Sequence, residues 1–212
     1  MALTYKKADP ARWLSHLDLI RTLERAIRRA QSPVTYSEGF NPRPRLSFGP
    51  PLPLGATSDT ELLAIRLDQP SDPSELLVNL NAQLPPGIEI TAARSVADSE
   101  PTLQEIHGCS YLVRVVCRSD DPAKALKTAI NEFLAQNEVF SQRMDKRLVK
   151  RVDIRPSVES LEVAEVNGSV ASLRLRLSHK GPQIAKPLEI VEALSQPASE
   201  IKLLSIHREV FY

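Results

Sequence analysis

The chain has 212 residues, of which 42% are hydrophobic and 25% charged, and its formal net charge is +1. No apolar run approaches the roughly 20 residues that a membrane-spanning helix needs, and the N-terminal sequence lacks the apolar stretch of a secretory signal. These features argue against a helical membrane protein and a secreted one, and they predict a cytoplasmic globular protein.

The small net charge hides a strongly uneven distribution. Residues 1–55 hold nine Lys or Arg and four acidic residues, whereas residues 56–140 hold six basic and thirteen acidic ones. Residues 141–155 are basic again, with six Lys or Arg against two acids. Two basic stretches on an otherwise acidic chain favour an anionic partner at a defined place. The alternative is that these charges only solvate the surface.

The first clear element is an amphipathic helix that follows a short strand at residues 3–7. Ser15 is a suitable N-cap, and Pro33 ends the helix. Apolar residues spaced by three and four predict a buried stripe formed by Leu17, Ile20, Leu23, Ile27 and Ala30. The outer face is basic and carries Arg21, Arg25, Arg28 and Arg29.

The segment from Tyr36 to Gly55 is the most unusual part of the sequence. It holds five of the 17 prolines and three of the seven glycines, which together predict a stiff, shaped loop. Arg43 and Arg45 alternate with prolines in a stretch expected to be extended, so both guanidinium groups could contact phosphates or carboxylates. The residues that could assist are Tyr36, Ser37, Phe40, Asn41 and Phe48, whose aromatic members offer planar faces for bases. The alternative is that the aromatic side chains belong to the core and the arginines only aid solubility.

The remaining pattern predicts two α+β subdomains. Strands at 61–67 and 88–94 and a helix at 73–83 complete a first unit over residues 1–96, read as a ferredoxin-like βαββαβ order. Residues 97–105 are polar and are expected to form a linker. Residues 106–212 give a second ferredoxin-like unit modified by an extra β-hairpin. Its strands are predicted at 110–118, 139–144, 148–154, 157–166, 169–177 and 201–211, with helices at 122–136 and 187–194.

Candidate chemistry is sparse. His16 lies at the start of the first helix and is a weak candidate for a catalytic residue, since no acidic partner is evident. Cys109 and Cys117 are expected on one face of one strand, too far apart for a disulfide. Phosphate-binding, hydrolase and metalloprotease motifs are absent from the sequence, and so are the cysteine clusters of iron–sulfur proteins. We therefore expect no cofactor and no metal in this chain.

A second basic stretch lies around a predicted turn and could extend a phosphate-binding surface. Its central candidates are Lys146 and Arg147, flanked by Arg143, Lys150 and Arg151. An exposed hairpin with ordinary solubilising charges is the alternative.

Six segments form a recognisable set: Trp13–Asp18, Tyr36–Phe48, Pro53–Gly55, Leu80–Asn81, Leu84–Gly87 and Val152–Pro156. Together they resemble the DUF2344 family of radical-SAM-linked proteins. The resemblance covers nearly the whole chain and is most specific in its first 55 residues. At Asn41 many members carry histidine, which weakens any role of this position as a proton donor or metal ligand.

The resemblance implies a partner, because family members occur fused to, or encoded beside, a larger radical SAM protein. That partner would carry the iron–sulfur cluster and S-adenosylmethionine. Our leading hypothesis is a non-catalytic accessory domain that presents RNA or a nucleoprotein to the partner through the basic helix and loop. Two alternatives are a module that docks on the partner without nucleic acid, and an RNA-processing or RNA-modifying enzyme that uses His16.

Overall fold

The computed structural model describes residues 1–97, 103, 106–145, 148–180, 184–195 and 200–212. Over these residues the chain is an α+β protein with four α-helices and ten strands, which confirms the predicted class. The chain divides into two compact units, Met1–Ile106 and His107–Tyr212. No helix in the described part is both long and apolar enough to span a membrane.

Unit 1 consists of four strands and two helices in the order β-α-β-β-α-β. The elements are β1 (Ala2–Lys7), α1 (His16–Arg29), β2 (Leu46–Phe48), β3 (Thr57–Ile65), α2 (Pro73–Asn81) and β4 (Ile88–Arg94). All strand pairs are antiparallel, in the order β4-β1-β3-β2. The β2 strand lies inside the segment predicted to be a loop, and β3 begins four residues before the predicted strand.

The first helix begins where its capping residue predicts, because the Ser15 side chain accepts a hydrogen bond from the Asp18 amide. The predicted stripe is rotated, however. Leu17 is exposed and Ile20 and Ala30 are only half-buried, while the buried residues are Leu19, Thr22, Leu23, Ala26 and Ile27. The core that they join includes Leu3, Leu63 and Ile90 from the sheet and Leu76 and Leu80 from α2.

Unit 2 has the same sheet order with an inserted hairpin. Its elements are β5 (Gly108–Arg118), α3 (Pro122–Ala135), β6 (Phe140–Asp145), β7 (Leu148–Asp153), β8 (Val158–Asn167), β9 (Val170–Ser178), α4 (Pro187–Leu194) and β10 (Glu200–Phe211). The antiparallel order is β10-β5-β9-β8, and β6 pairs with β7 alone. The predicted elements of this half are confirmed within a few residues at each end. Cys109 and Cys117 are buried on β5 and are not disulfide-bonded, which confirms the expectation that both lie on one strand.

The surroundings of Gly87 lead to a prediction about the stability of unit 1. Its φ is +89°, and a Cβ there would lie 2.8 Å from both the Ala11 nitrogen and the Ala8 oxygen. We expect Gly87→Ala to lower the free energy of unfolding by about 3 kcal/mol, because backbone strain and a backbone clash combine. Chemical denaturation measures the loss.

The matched control is Gly168→Ala in the β8–β9 turn. Gly168 also has a positive φ, +58°, but a Cβ there meets nothing within 4 Å. Only the backbone strain then remains, about 1 kcal/mol. Equal losses at the two positions would contradict the packing argument for Gly87.

Candidate functional site

The segment between α1 and β2 folds back on itself. The amide of Ser37 donates to the Arg43 carbonyl at 2.8 Å, and the amide of Arg45 donates to the Thr35 carbonyl at 2.8 Å. The Ser37 hydroxyl also accepts a hydrogen bond from the Arg43 amide at 3.0 Å. Residues 38–42 form the exposed tip of this hairpin-like segment. Cross-hydrogen bonds therefore constrain this segment in addition to its prolines.

Arg43 and Arg45 are exposed on either side of the buried Pro44. They line an open cleft of about 1070 Å³ in unit 1, which we call the arginine cleft. Its lining includes Ser37, Arg43, Arg45, Ser47, Arg66 and Asp68. Three guanidinium groups and one carboxylate among the described lining residues make the cleft basic. The arrangement can hold an anion with several charged groups.

Arg66 is a residue that the sequence analysis missed. It follows β3 directly, and its amide donates to the Arg45 carbonyl at 3.3 Å, while the Thr35 amide donates to the Arg66 carbonyl at 2.8 Å. These bonds join the Arg66 backbone to both strands of the folded-back segment. The local sequence gives no signal for this, because Arg66 is a single basic residue in an acidic stretch.

The exposed arginines of α1 have different neighbours. Arg21, Arg25 and Arg28 are all exposed, as predicted. The Arg28 side chain donates to the Pro42 carbonyl at 3.4 Å, which places it beside the loop tip. Arg21 lies 3.6 Å from Asp18, and Arg25 lines a separate groove of about 610 Å³. Within unit 1, Arg28 is thus the helix arginine that contacts the loop.

The aromatic residues of the segment differ in availability. Phe40 is fully exposed at the tip beside the exposed Asn41. Tyr36 is half-buried, and its backbone forms an isolated antiparallel β-bridge with that of Pro44. Phe48 is half-buried in β2 and packs against the hydrophobic core. Phe40 is therefore the aromatic ring of this segment best placed to stack on a ligand.

His16 is half-buried at the start of α1, with its ring edge-on to Phe48 at a centroid distance of 5.4 Å. Burial lowers the pKa of His16, and the nearby Lys7 ammonium lowers it further. Lys7 is itself only 2% exposed, and its Nζ donates to the Arg12 and Leu14 carbonyls. These surroundings favour the neutral imidazole, which could accept a proton but would not attract a phosphate.

The titration of His16 tests this description. We expect NMR to give a pKa below the ordinary value of 6.5, and Lys7→Met to raise it because one repulsive charge is removed. The control is Lys6→Met, since Lys6 pairs with Asp59 at the surface and should leave the pKa of His16 unchanged. A wild-type pKa above 6.5 would contradict the geometry.

In the second basic stretch, residues 141–155, not every basic side chain is available to bind an anion. Lys146 and Arg147 lie outside the described residues. Arg143 is bound by Glu189, with Nε to Oε1 at 2.6 Å, and also donates to the Ile184 carbonyl. Arg151 lies over the ring of Phe140, 3.7 Å from its centroid. Contrary to expectation, Arg143 is a structural residue, because its guanidinium is occupied within unit 2.

Unit 2 also contains a polar cluster that the sequence analysis missed. The Cys109 sulfur lies 3.3 Å from Nε2 of His179, a histidine for which the sequence indicated no partner. The buried Arg208 donates two hydrogen bonds to the Tyr111 hydroxyl. These groups come from strands β5, β9 and β10 and their ends, so only the sheet register brings them together.

Among the described residues, no group of three or more His, Cys, Asp or Glu side chains is arranged to hold a metal ion. The arrangement with the most evident binding chemistry is therefore the arginine cleft with the loop tip and Arg28 beside it.

Comparison with known proteins identifies a family and a fold. The model of a family described as uncharacterised proteins conserved in bacteria, DUF2344, matches residues 1–187. No curated protein matches the chain significantly. Solved structures similar in fold include a Cbf5-Nop10-Gar1 complex, with a TM-score of 0.56 and 11% identity over 99% of this chain and 48% of the other.

Two further structures are similar to the same degree. An H/ACA RNP bound to a substrate RNA containing 2'-deoxyuridine gives a TM-score of 0.53 and 11% identity over 99% of this chain and 47% of the other. The archaeal box H/ACA sRNP Nop10-Cbf5 complex gives a TM-score of 0.51 and 10% identity over 98% of this chain and 46% of the other. The chain thus spans about half of the length of the chains that it matches.

Proposed function

We propose that this chain, which belongs to the DUF2344 family, binds RNA through the arginine cleft and acts as an accessory domain of a larger enzyme. The observation that supports RNA binding most directly is the convergence of Arg43, Arg45 and Arg66 on one cleft. Successive phosphates of a single strand need several cations along one groove, and these three side chains supply them.

The loop tip adds a contact for bases. Phe40 is fully exposed, and an exposed aromatic ring beside a basic groove is the usual platform for stacking unpaired bases. Arg28, held beside Pro42, adds a further positive charge at the tip. A binding mode of phosphates in the cleft and a base on Phe40 follows from this placement.

The structural neighbours support RNA over other polyanions. One of them is an H/ACA RNP bound to a substrate RNA, so at least one protein assembly with a chain of this fold contacts RNA. At 11% identity the likeness extends to the fold and not to the residues. The choice of ligand therefore rests mainly on the charges of the cleft.

The proposal is tested by titrating the chain with labelled single-stranded RNA at increasing salt. We expect an affinity that falls linearly on a log–log plot, with a slope near −2 for about three phosphate contacts. A poly-glutamate competitor of equal charge should displace RNA only weakly, since it has no bases to stack. Affinity that is independent of salt, or equal displacement by poly-glutamate, would count against RNA as the ligand.

We further propose that the enzyme served by this chain is a radical SAM protein, as the family resemblance implies. That protein would hold the iron–sulfur cluster and S-adenosylmethionine, and this chain would hold the substrate. Co-purification with an adjacently encoded radical SAM protein is the expected result. If the association persists at high salt and is lost in Phe40→Ala, the loop tip is the docking surface and the module binds its partner instead of RNA.

The third candidate role, catalysis by His16, has a narrower basis. The neutral imidazole favoured by burial and by Lys7 suits a general base. Turnover of RNA by the isolated chain that disappears in His16→Ala would support this role. Turnover that persists in the variant would remove His16 from consideration.

The sheet orders support a ferredoxin-like description of both units. Each has the connection order β-α-β-β-α-β around an antiparallel sheet once the β6–β7 hairpin is set aside. An experimental structure with these strand orders is the test of this assignment.

A further inference from the structure

A second groove in unit 1 is formed by the segment that precedes α1, by the middle and end of α1, and by the connection between α2 and β4. It has a volume of about 610 Å³ and is lined mainly by apolar residues, among them Pro10, Trp13, Leu14, Leu84, Pro85 and Pro86. We call it the Trp13 groove. It is distinct from the arginine cleft, since the two share no lining residue.

Trp13 is exposed to an unusual degree for a tryptophan. Its side chain is 64% exposed, and Leu17 and Leu54 are exposed to a similar extent. The ring is nonetheless held in place, with the Arg12 guanidinium 4.7 Å from its centroid. Gly55 lies directly behind it, because a Cβ at Gly55 would be 3.1 Å from the ring. A large apolar surface fixed in an exposed position is typical of a binding surface.

The charges in the Trp13 groove are of one sign. Among the described lining residues, the charged side chains are Arg25 and Arg29. Arg29 is engaged by Gln83, to which it donates at 3.2 Å and 2.5 Å. Arg25 makes a weaker contact with the Thr22 hydroxyl at 3.3 Å and is the more available cation. The groove therefore offers one positive charge beside an apolar floor.

The apolar floor and the single available cation together indicate which kind of ligand the Trp13 groove can bind. A nucleic acid strand needs several available cations in succession, which the arginine cleft supplies and the Trp13 groove does not. A peptide with an apolar anchor and one adjacent carboxylate satisfies both the floor and Arg25. Tryptophan and arginine are also the residues most enriched where protein partners bind tightly.

We propose that the Trp13 groove is the docking site for an acidic, apolar segment of a protein partner. An aromatic or leucine side chain of that segment packs against Trp13 and the prolines, and its carboxylate pairs with Arg25. The chain then has two separate binding surfaces, one for a polyanion and one for a protein segment.

The experiment uses a displayed library of random peptides, selected on the wild-type chain of residues 1–212. We expect selected peptides to share an aromatic residue or leucine close to Asp or Glu. Because Trp13 is the only tryptophan of the chain, a bound peptide should shift its fluorescence emission to shorter wavelength. Arg25→Glu should weaken binding at least about tenfold, and replacing the peptide carboxylate by lysine should restore it.

The matched control is Arg28→Ala, which removes an exposed arginine from the same helix. Arg28 faces Pro42 and does not line the groove, so peptide affinity should be unchanged. Trp13→Phe, which keeps an apolar ring, should fold and retain part of the affinity, as judged by anisotropy of the labelled peptide.

Three results would overturn the proposal. One is a selection that yields no peptide dependent on Trp13 or Arg25. Another is a shift of Trp13 emission caused by single-stranded RNA but by no peptide, which would make the groove part of the nucleic-acid surface. The third is an emission that shifts with protein concentration alone, which would mean that a second copy of this chain covers the groove.

Discussion

The double variant Arg43→Ala/Arg45→Ala is expected to lose about a hundredfold in affinity for single-stranded RNA. Each arginine lines the cleft from an exposed position, and a hydrogen bond to a charged group contributes about 1.5 kcal/mol or more. Loss of two contacts should also reduce the magnitude of the salt slope by about 1.4. Fluorescence anisotropy over a salt series measures both quantities.

A control of equal charge change is available in unit 2. Arg174 and Arg176 are exposed on β9, and each lies within 4 Å of a glutamate. Because those charges are already compensated, Arg174→Ala/Arg176→Ala should leave RNA affinity nearly unchanged. If both double variants weaken binding equally, the effect is one of net charge, and the arginine cleft is not the site.

Glu189→Ala is expected to be among the most destabilising single changes in unit 2. Glu189 is 8% exposed, and its carboxylate accepts hydrogen bonds from Arg143 and from the Lys186 amide. Removing it leaves the guanidinium half-buried without its counter-ion and removes a helix-capping contact. Breaking such a pair costs about 3 kcal/mol, which denaturant unfolding measures.

The matched control is an ion pair at the surface. Arg118 and Glu200 lie 3.1 Å apart, with exposed fractions of 69% and 45%. We expect Arg118→Ala to cost less than about 0.5 kcal/mol, because water and salt screen exposed pairs. Similar losses in the two variants would contradict the structural role assigned to the Arg143–Glu189 pair.

The same pair predicts a dependence of stability on pH. Burial, the largest influence, raises the pKa of Glu189, but the hydrogen bonds from Arg143 and Lys186 and their charges outweigh it, so the pKa is lowered from 4.5. Its contribution to stability is therefore present above pH 4.5 and is lost as the pH falls through the lower folded pKa. The difference between wild type and Glu189→Ala should shrink over that acidic range.

These expectations give the two basic stretches different roles. Arg43 and Arg45 of the first stretch line one cleft together with Arg66, a residue from elsewhere in the chain. In the second, Arg143 is committed to Glu189, and Lys146 and Arg147 lie outside the described residues. Similar local charge thus corresponds to a candidate binding surface in one place and, in part, to a stabilising contact in the other.

The sequence by itself determined the α+β class, most element bounds and the capping residue Ser15. It could do so because these features depend on local periodicity, turn residues and helix caps. It also singled out the segment from Tyr36 to Gly55, since the density of proline, glycine and arginine there is visible without any contact. The placement of both cysteines on one face of one strand followed from their even spacing.

Only the tertiary structure decided which residues of that segment line the arginine cleft. The β2 strand is too short to be recognised by periodicity, and its pairing with β3 fixes the position of the loop. The true buried stripe of α1 includes Thr22 and Ala26, which spacing of large apolar residues does not reveal. Arg66, Glu189 and the groove at Trp13 depend on contacts between distant parts of the chain. Such contacts arise from packing and strand pairing between distant segments, which local periodicity does not specify.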